Sequence, residues 1–216
     1  MKYLKEFATE SDVNMSVLPN VVLVSDTGKV LYNVQPSGVY IQHIDGELYT
    51  TDEWTARGFS NEEANGVAVG QGDISFVVSK EKSVSLQWCS DTENAVEGLA
   101  VISNAADAEK DYNGVANTAL IAGIDTSGAV NYCANYTFPN GAKGYLPALG
   151  EVAILYANEQ AVRKALALIG GDLDNTLWSS TQGSANSAWL YRGAVGPFKT
   201  YKRSKSTAIA FTSCNI

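Results

Sequence analysis

The hydrophobic period changes twice along this chain, and that switch restricts the possible folds more than any other feature. Between residues 38 and 88 the apolar residues come in short runs separated by turn residues. Gly38-Val39-Tyr40-Ile41 leads through Asp45-Gly46 to Glu47-Leu48-Tyr49-Thr50; Asn65-Gly66 precedes Val67-Ala68-Val69, and Gly72-Asp73 precedes Ile74-Ser75-Phe76-Val77-Val78. Runs of this kind between such turns read as strands. Residues 83–88 alternate at period two, which predicts Val84, Leu86 and Trp88 on one face. The period then becomes helical. Residues 107–124 carry Tyr112, Val115, Ala116, Ala119 and Leu120 at helical spacing, and residues 127–136 place Val130, Cys133 and Ala134 on one side. Residues 148–169 form the strongest stripe, through Leu149, Val152, Ala153, Leu155, Tyr156, Val162, Leu166 and Ile169, and Gly170-Gly171 ends it. Strand patterns return at residues 176–181, 188–192, 198–202 and 208–212. Strands, then helices, then strands predict an α+β domain whose helices cover antiparallel sheet. Ahead of it, the runs 21–24 and 29–34 around Ser25-Asp26-Thr27-Gly28 predict a β-hairpin. Pro36-Ser37-Gly38 sets the expected boundary, with residues 1–35 as a hairpin attachment segment and 36–216 as the main domain.

Composition narrows the chemistry. Across 216 residues, 45% are hydrophobic and 18% charged, enough apolar material for a real core. The one histidine, His43, lacks a partner pattern and reads as a surface or hairpin residue, and Cys89, Cys133 and Cys214 show no Cys-x-x-Cys spacing. Zinc fingers, zinc hydrolases and multi-histidine catalytic sites are poorly supported, and buried free thiols are expected for all three cysteines. Asp172-x-Asp174-Asn175 is too sparse in oxygens for calcium and reads as a polar turn. A binding protein without metal or cofactor is expected, not an enzyme. No apolar run reaches the ~18 residues of a membrane span, and the opening MKYLKEFATESDVN turns polar before any signal-peptide core forms.

Charge is unevenly distributed. The net charge of −8 divides into −13 for residues 1–174 and +5 for residues 175–216, where Arg192, Lys199, Lys202, Arg203 and Lys205 stand without any acidic residue. An acidic chain argues against general nucleic-acid affinity, while a basic terminal stretch argues for one face with its own electrostatic task.

The runs FPNGAKGYLPALGE, ALALIGG and LWSSTQGSANSAWLYR carry a resemblance. With Tyr132-Cys133, Asn135-Tyr136-Thr137-Phe138-Pro139-Asn140-Gly141, Gly144-Tyr145-Leu146 and Ala148-Leu149-Gly150-Glu151, the chain from about residue 38 to 214 resembles the C-type-lectin-fold variable proteins of diversity-generating retroelements from gut Bacteroidales and their phages. The resemblance implies a C-type-lectin-like domain with two helices packed on antiparallel sheet. It also implies a receptor-binding or adhesive role at a phage tail or bacterial surface. In that family an error-prone reverse transcriptase rewrites adenine-rich codons near the gene's end, and a fixed core displays the altered side chains. A tail holding Asn215 as its one asparagine after Ser187 fits replaced template asparagines, although beyond Gly193 it departs from the family's asparagine-punctuated pattern. A non-diversified structural virion or surface component is the alternative, and a formylglycine-generating enzyme relative a more distant one.

Strand alternation in the tail predicts which side chains are displayed. Trp189 and Tyr191 are expected inward, Leu190 and Arg192 outward, and Lys199, Tyr201 and Arg203 on one shared face. With the display that the resemblance implies for this tail, Leu190, Arg192, Phe198, Lys199, Tyr201 and Arg203 are the candidate ligand-binding residues. The expected partner is a cell-surface protein or glycan, with no nucleic acid and no membrane insertion. A homo-oligomer or virion contact is a further expected partner.

Overall fold

The computed structural model describes residues 38–214, together with the backbone of two strands, β1 (Leu23–Asp26) and β2 (Lys29–Tyr32). These two pair antiparallel with Asp26 opposite Lys29, as the hairpin pattern predicts. The rest of residues 1–37, including the expected boundary at 36, lies outside the described residues.

The main body is α+β. Five strands form one antiparallel sheet in the order β10-β6-β5-β3-β4: β3 (Gly38–His43), β4 (Leu48–Tyr49), β5 (Ala64–Gln71), β6 (Ile74–Lys82) and β10 (Ile209–Ser213). A second, three-stranded sheet runs β7 (Thr176–Ser184), β8 (Ser187–Arg192), β9 (Gly196–Tyr201). Six helices are seen among the described residues: α1 (Thr51–Arg57), α2 (Ala105–Ala108), α3 (Gly114–Ala122), α4 (Ala129–Asn135), α5 (Leu149–Ala157) and α6 (Glu159–Leu168).

Period-two alternation explains how two cores form on opposite faces of the larger sheet. Val67, Val69, Phe76 and Val78 join α5, α6 and Trp54 in one, while Ala68 and Val77 join α3, α4, Trp88 and Trp178 in the other. β10 alternates likewise, with Ile209 and Phe211 in the first core and Ala210 in the second, where Ala208, just ahead of the strand, joins it. β7 adds Leu177 to one and Trp178 to the other, so it ties the sheets together. A central strand covered on both faces reads as a continuous apolar run, and β5 is buried from Ala64 to Gly70.

Several sequence expectations change. Asn65-Gly66 is no turn but lies inside β5, because a Cβ on Gly66 would meet the Val78 carbonyl oxygen at 2.3 Å and only glycine allows that approach. Residues 83–88 leave the sheet after Lys82; Trp88 is buried, whereas Val84 points to solvent. The stripe predicted for 107–124 faces outward: Tyr112, Val115, Ala116, Ala119 and Leu120 are all exposed. The buried face of α3 carries Asn117, Thr118 and Ile121 instead. Thr118 Oγ1 bonds the Leu146 carbonyl at 3.1 Å and Asn117 Nδ2 bonds the Asp111 carboxylate at 2.9 Å, so hydrogen bonds on the inner side reverse the hydropathy pattern. The long helix at 148–169 divides at Asn158, and among the described residues six helices, not the two that the resemblance implies, pack with the antiparallel sheets. His43 ends β3 at the hairpin to β4, as one of its two readings expected, with its amide 2.8 Å from the Glu47 carbonyl; its half-buried ring lies 5.0 Å from that of Phe59 and 6.1 Å from that of Trp54, in an aromatic cluster.

Glu151 is the third residue of α5 and reaches back to the Ala148 amide at 2.7 Å, the half of a capping box made by the acidic side chain. It also accepts from the Tyr145 hydroxyl at 2.8 Å. Gly114 must be glycine here, since a Cβ would stand 2.2 Å from Glu151 Oε2. Burial pushes the Glu151 carboxyl up to about 7, against the pull of its hydrogen bonds. A folded pKa above the unfolded value near 4.5 means the group's contribution is complete below pH 4.5 and is lost as pH rises through 7. Denaturant titrations should therefore show stability declining between those values, and Glu151→Gln should flatten that decline. Trp178→Ala, which removes an indole lying in the second core, should cost ~3–5 kcal/mol in the same assay.

Candidate ligand-binding face

β8 and β9 form a ribbon with Leu190 opposite Phe198, Trp189 opposite Lys199 and Ser187 opposite Tyr201. This register separates the candidate residues. Arg192 and Phe198 share one face of the ribbon, while Lys199 and Tyr201 share the other. Arg203 lies just past β9, its guanidinium 4.7 Å from the Tyr201 ring. Leu190 is corrected: it is only 5% exposed and packs in the second core, because β8 is covered on both faces and alternation there selects between two interiors. Trp189 is buried as expected, against Leu149 and Ala108, and Tyr191 is half-buried and stacked on Tyr156.

β9 is the open edge of its sheet. Phe198 is 45% and Tyr201 52% exposed, and Arg192, Lys199, Arg203 and Lys205 are exposed beside them. Three of the ribbon's aromatic rings lie beneath a cation: Arg192 over Phe198 at 5.2 Å, Lys199 over Trp189 at 5.5 Å, Arg203 over Tyr201 at 4.7 Å. Such contacts contribute roughly 0.5–1 kcal/mol each where exposed and hold the long side chains in place.

The segment 93–103 braces the ribbon from beside it. Trp189 Nε1 donates to the Ile102 carbonyl at 2.7 Å and Lys199 Nζ to that of Ser103 at 3.0 Å. Gln182, buried in β7, accepts from the Val96 amide at 2.9 Å through Oε1. Lys202 is the tail's exception. It is fully buried, with Nζ 2.7 Å from the Asn94 carbonyl, 2.9 Å from Gln182 Oε1 and 4.7 Å from the Trp88 ring centre. Burial pulls its ammonium pKa down. Nothing in its spacing marks it off from Lys199 or Lys205, so the sequence counts as surface charge what folding uses inside.

The other candidate chemistry takes structural roles. Asp172 and Asp174 close on Lys82 Nζ at 2.8 and 2.6 Å. The three cysteines are buried free thiols; burial pushes Cys89 and Cys214 up to about 11 and Cys133 well above its ordinary value. Among the described residues there is no cluster of three or more His, Cys, Asp or Glu that could hold a metal, and no helix is long and apolar enough to cross a membrane.

Opposite outcomes should separate the two kinds of basic residue. Lys202→Met removes the donor facing Asn94 and Gln182 and should lower stability by about 1–3 kcal/mol. Arg203→Ala, at an exposed position, should change it by no more than about 1 kcal/mol, the size of its contact with Tyr201. Paired chemical-denaturation curves measure both.

No protein-family model matches the chain, and no curated protein does. Among solved structures, the fold is similar to that of a fimbrial protein from Bacteroides ovatus ATCC 8483, with a TM-score of 0.64 at 13% identity. The likeness covers 82% of this chain and 48% of that one, so the chain spans about half the length of that protein. At such identity the likeness is one of fold.

Proposed function

We propose that this chain is an adhesive, ligand-binding protein of a bacterial surface or phage tail, and that it acts by binding and not by catalysis. The observation that carries the reading is the open edge of the β8–β9 ribbon, where Arg192, Phe198, Lys199, Tyr201 and Arg203 are exposed while Ala188, Trp189 and Leu190 of β8 pack into cores on both faces. Aromatic and arginine side chains are the usual anchors of recognition surfaces. The fold shared with a fimbrial protein agrees with a surface setting. The finer reading makes this a C-type-lectin-like, retroelement-diversified protein, and rests on the motif resemblance. Its display set is then Arg192, Phe198, Lys199, Tyr201 and Arg203, with Leu190 withdrawn because it is buried. A non-diversified structural surface component is a second reading, favoured by the outward apolar side chains of α3, which suit a packing contact in an assembly.

Alanine at the five display positions should leave the melting curve within a few degrees of the parent and reduce attachment to host cells at least tenfold. Attachment unchanged in the folded variant would move the binding surface elsewhere. A near-repeat of the gene's last segment beside a reverse transcriptase gene, with adenines at the differing sites, is the expected mark of diversification, and its absence favours the structural reading.

A further inference from the structure

Resting on the reading of the β8–β9 ribbon as the binding surface, the ligand's chemical class can be argued from that ribbon. Of the tail's basic residues only Arg203 approaches a carboxylate among the described residues, Glu93 at 3.7 Å. Arg192, Lys199 and Lys205 have no acidic partner there, in a chain of net charge −8. Among the described residues, most of the charge at this edge therefore stands without an acidic partner.

The backbone of β9 adds donors. Lys202 N bonds the Asn186 carbonyl at 2.9 Å, so in this antiparallel register residues 200, 198 and 196 also face β8, while 201, 199 and 197 turn their backbone groups to the open edge. The amides of Lys199 and Tyr201 thus point outward between cations splayed to either side, and Pro197 contributes no donor. Pro197 and Lys199 on an open edge also discourage pairing with another strand, which argues against an extended peptide as the occupant.

The aromatic rings argue against two other ligand types. A neutral sugar is held by stacking on open ring faces, but the rings of Phe198 and Tyr201 each carry a guanidinium. A folded protein partner is held by a charge-depleted, desolvated interface core, and this ribbon has cations at every exposed ring. Spacing separates the remaining polyanions. Arg192 stands opposite Gly196, and Lys199 follows three residues along β9, about 10 Å at the usual strand rise. Duplex DNA carries a charge every ~1.7 Å, far denser than this track, and would be opposed by the −13 body. We propose that the β9 edge, with Arg192, Lys199, Arg203 and the outward amides of Lys199 and Tyr201, binds a linear acidic polysaccharide whose carboxylates are widely spaced.

The test uses the full chain and immobilised hyaluronan, which has one carboxylate every second sugar, beside its carboxyl-reduced neutral form and duplex DNA. Expected are binding to hyaluronan alone, weakened at least about tenfold as salt rises from about 0.05 to 0.5 M, and loss of about tenfold or more in Arg192→Ala/Lys199→Ala/Arg203→Ala. Because Lys199 also anchors to Ser103, a second variant, Arg192→Ala/Arg203→Ala/Lys205→Ala, repeats the charge removal without it. Arg192→Lys/Arg203→Lys should retain most of the binding. Equal binding to the neutral polymer, binding to DNA as tight as to hyaluronan, insensitivity to salt, or full binding by both folded triple variants would each overturn the proposal. If both variants lose cell attachment while hyaluronan neither binds nor competes, this inference fails and the binding surface stands. If both attach to cells like the parent, the surface itself is misplaced.

Discussion

Ser179, Ser180, Thr181 and Gln182 lie in β7 with almost no contact with water, and each is bonded to a different part of the chain. Ser179 Oγ donates to the Trp189 carbonyl at 2.8 Å, and the Ser180 amide to that of Pro147 at 2.7 Å. Thr181 Oγ1 bonds Asp111 at 2.8 Å while accepting from the Leu149 amide at 2.9 Å. Gln182 holds Val96 and Lys202. An unpaired buried polar group costs about 1–3 kcal/mol, so misplacing any of these segments leaves several such groups unmatched at once. A polar strand at the centre thus specifies one arrangement of its neighbours, where an apolar strand would tolerate several. Trp178 works alongside it, filling the second core while its indole nitrogen bonds the Leu86 carbonyl at 2.9 Å.

That arrangement positions the ribbon. β8 is clamped between β7 and both cores, and the 93–103 segment is held by Gln182, Lys202, Trp189 and Lys199. Apart from Lys199, which also anchors Ser103, the exposed residues of β9 make none of these bracing contacts. Replacement there is cheap for folding, whatever it does to recognition.

A second polar centre lies at the start of α5. Asp111 takes hydrogen bonds from the Asn113 amide, Asn117 and Thr181, and Glu151 from Tyr145 and Ala148; both carboxyls are buried. Asp111 adds to the burial that raises Glu151. Because Asn117 and Thr118 turn inward to this region, α3 leaves Val115 and Leu120 in solvent. Hydrogen bonding decides the orientation of that helix against its own hydrophobic pattern.

The strand–helix–strand order, the hairpin at 23–32, the inward Trp178 and Trp189, the core thiol of Cys133 and the basic tail follow from the sequence by itself. Each rests on a local regularity: a period, a turn pair or a charge count along consecutive residues. Gly66 inside β5, the outward face of α3, the burial of Leu190 and the interior ammonium of Lys202 were settled only by tertiary structure. In each case the deciding partner is remote in sequence: the Val78 carbonyl for Gly66, Leu146 for Thr118, a second core for Leu190, and Asn94 with Gln182 for Lys202. Local pattern says whether a side chain is apolar or charged, but burial depends on what the fold brings to its other side.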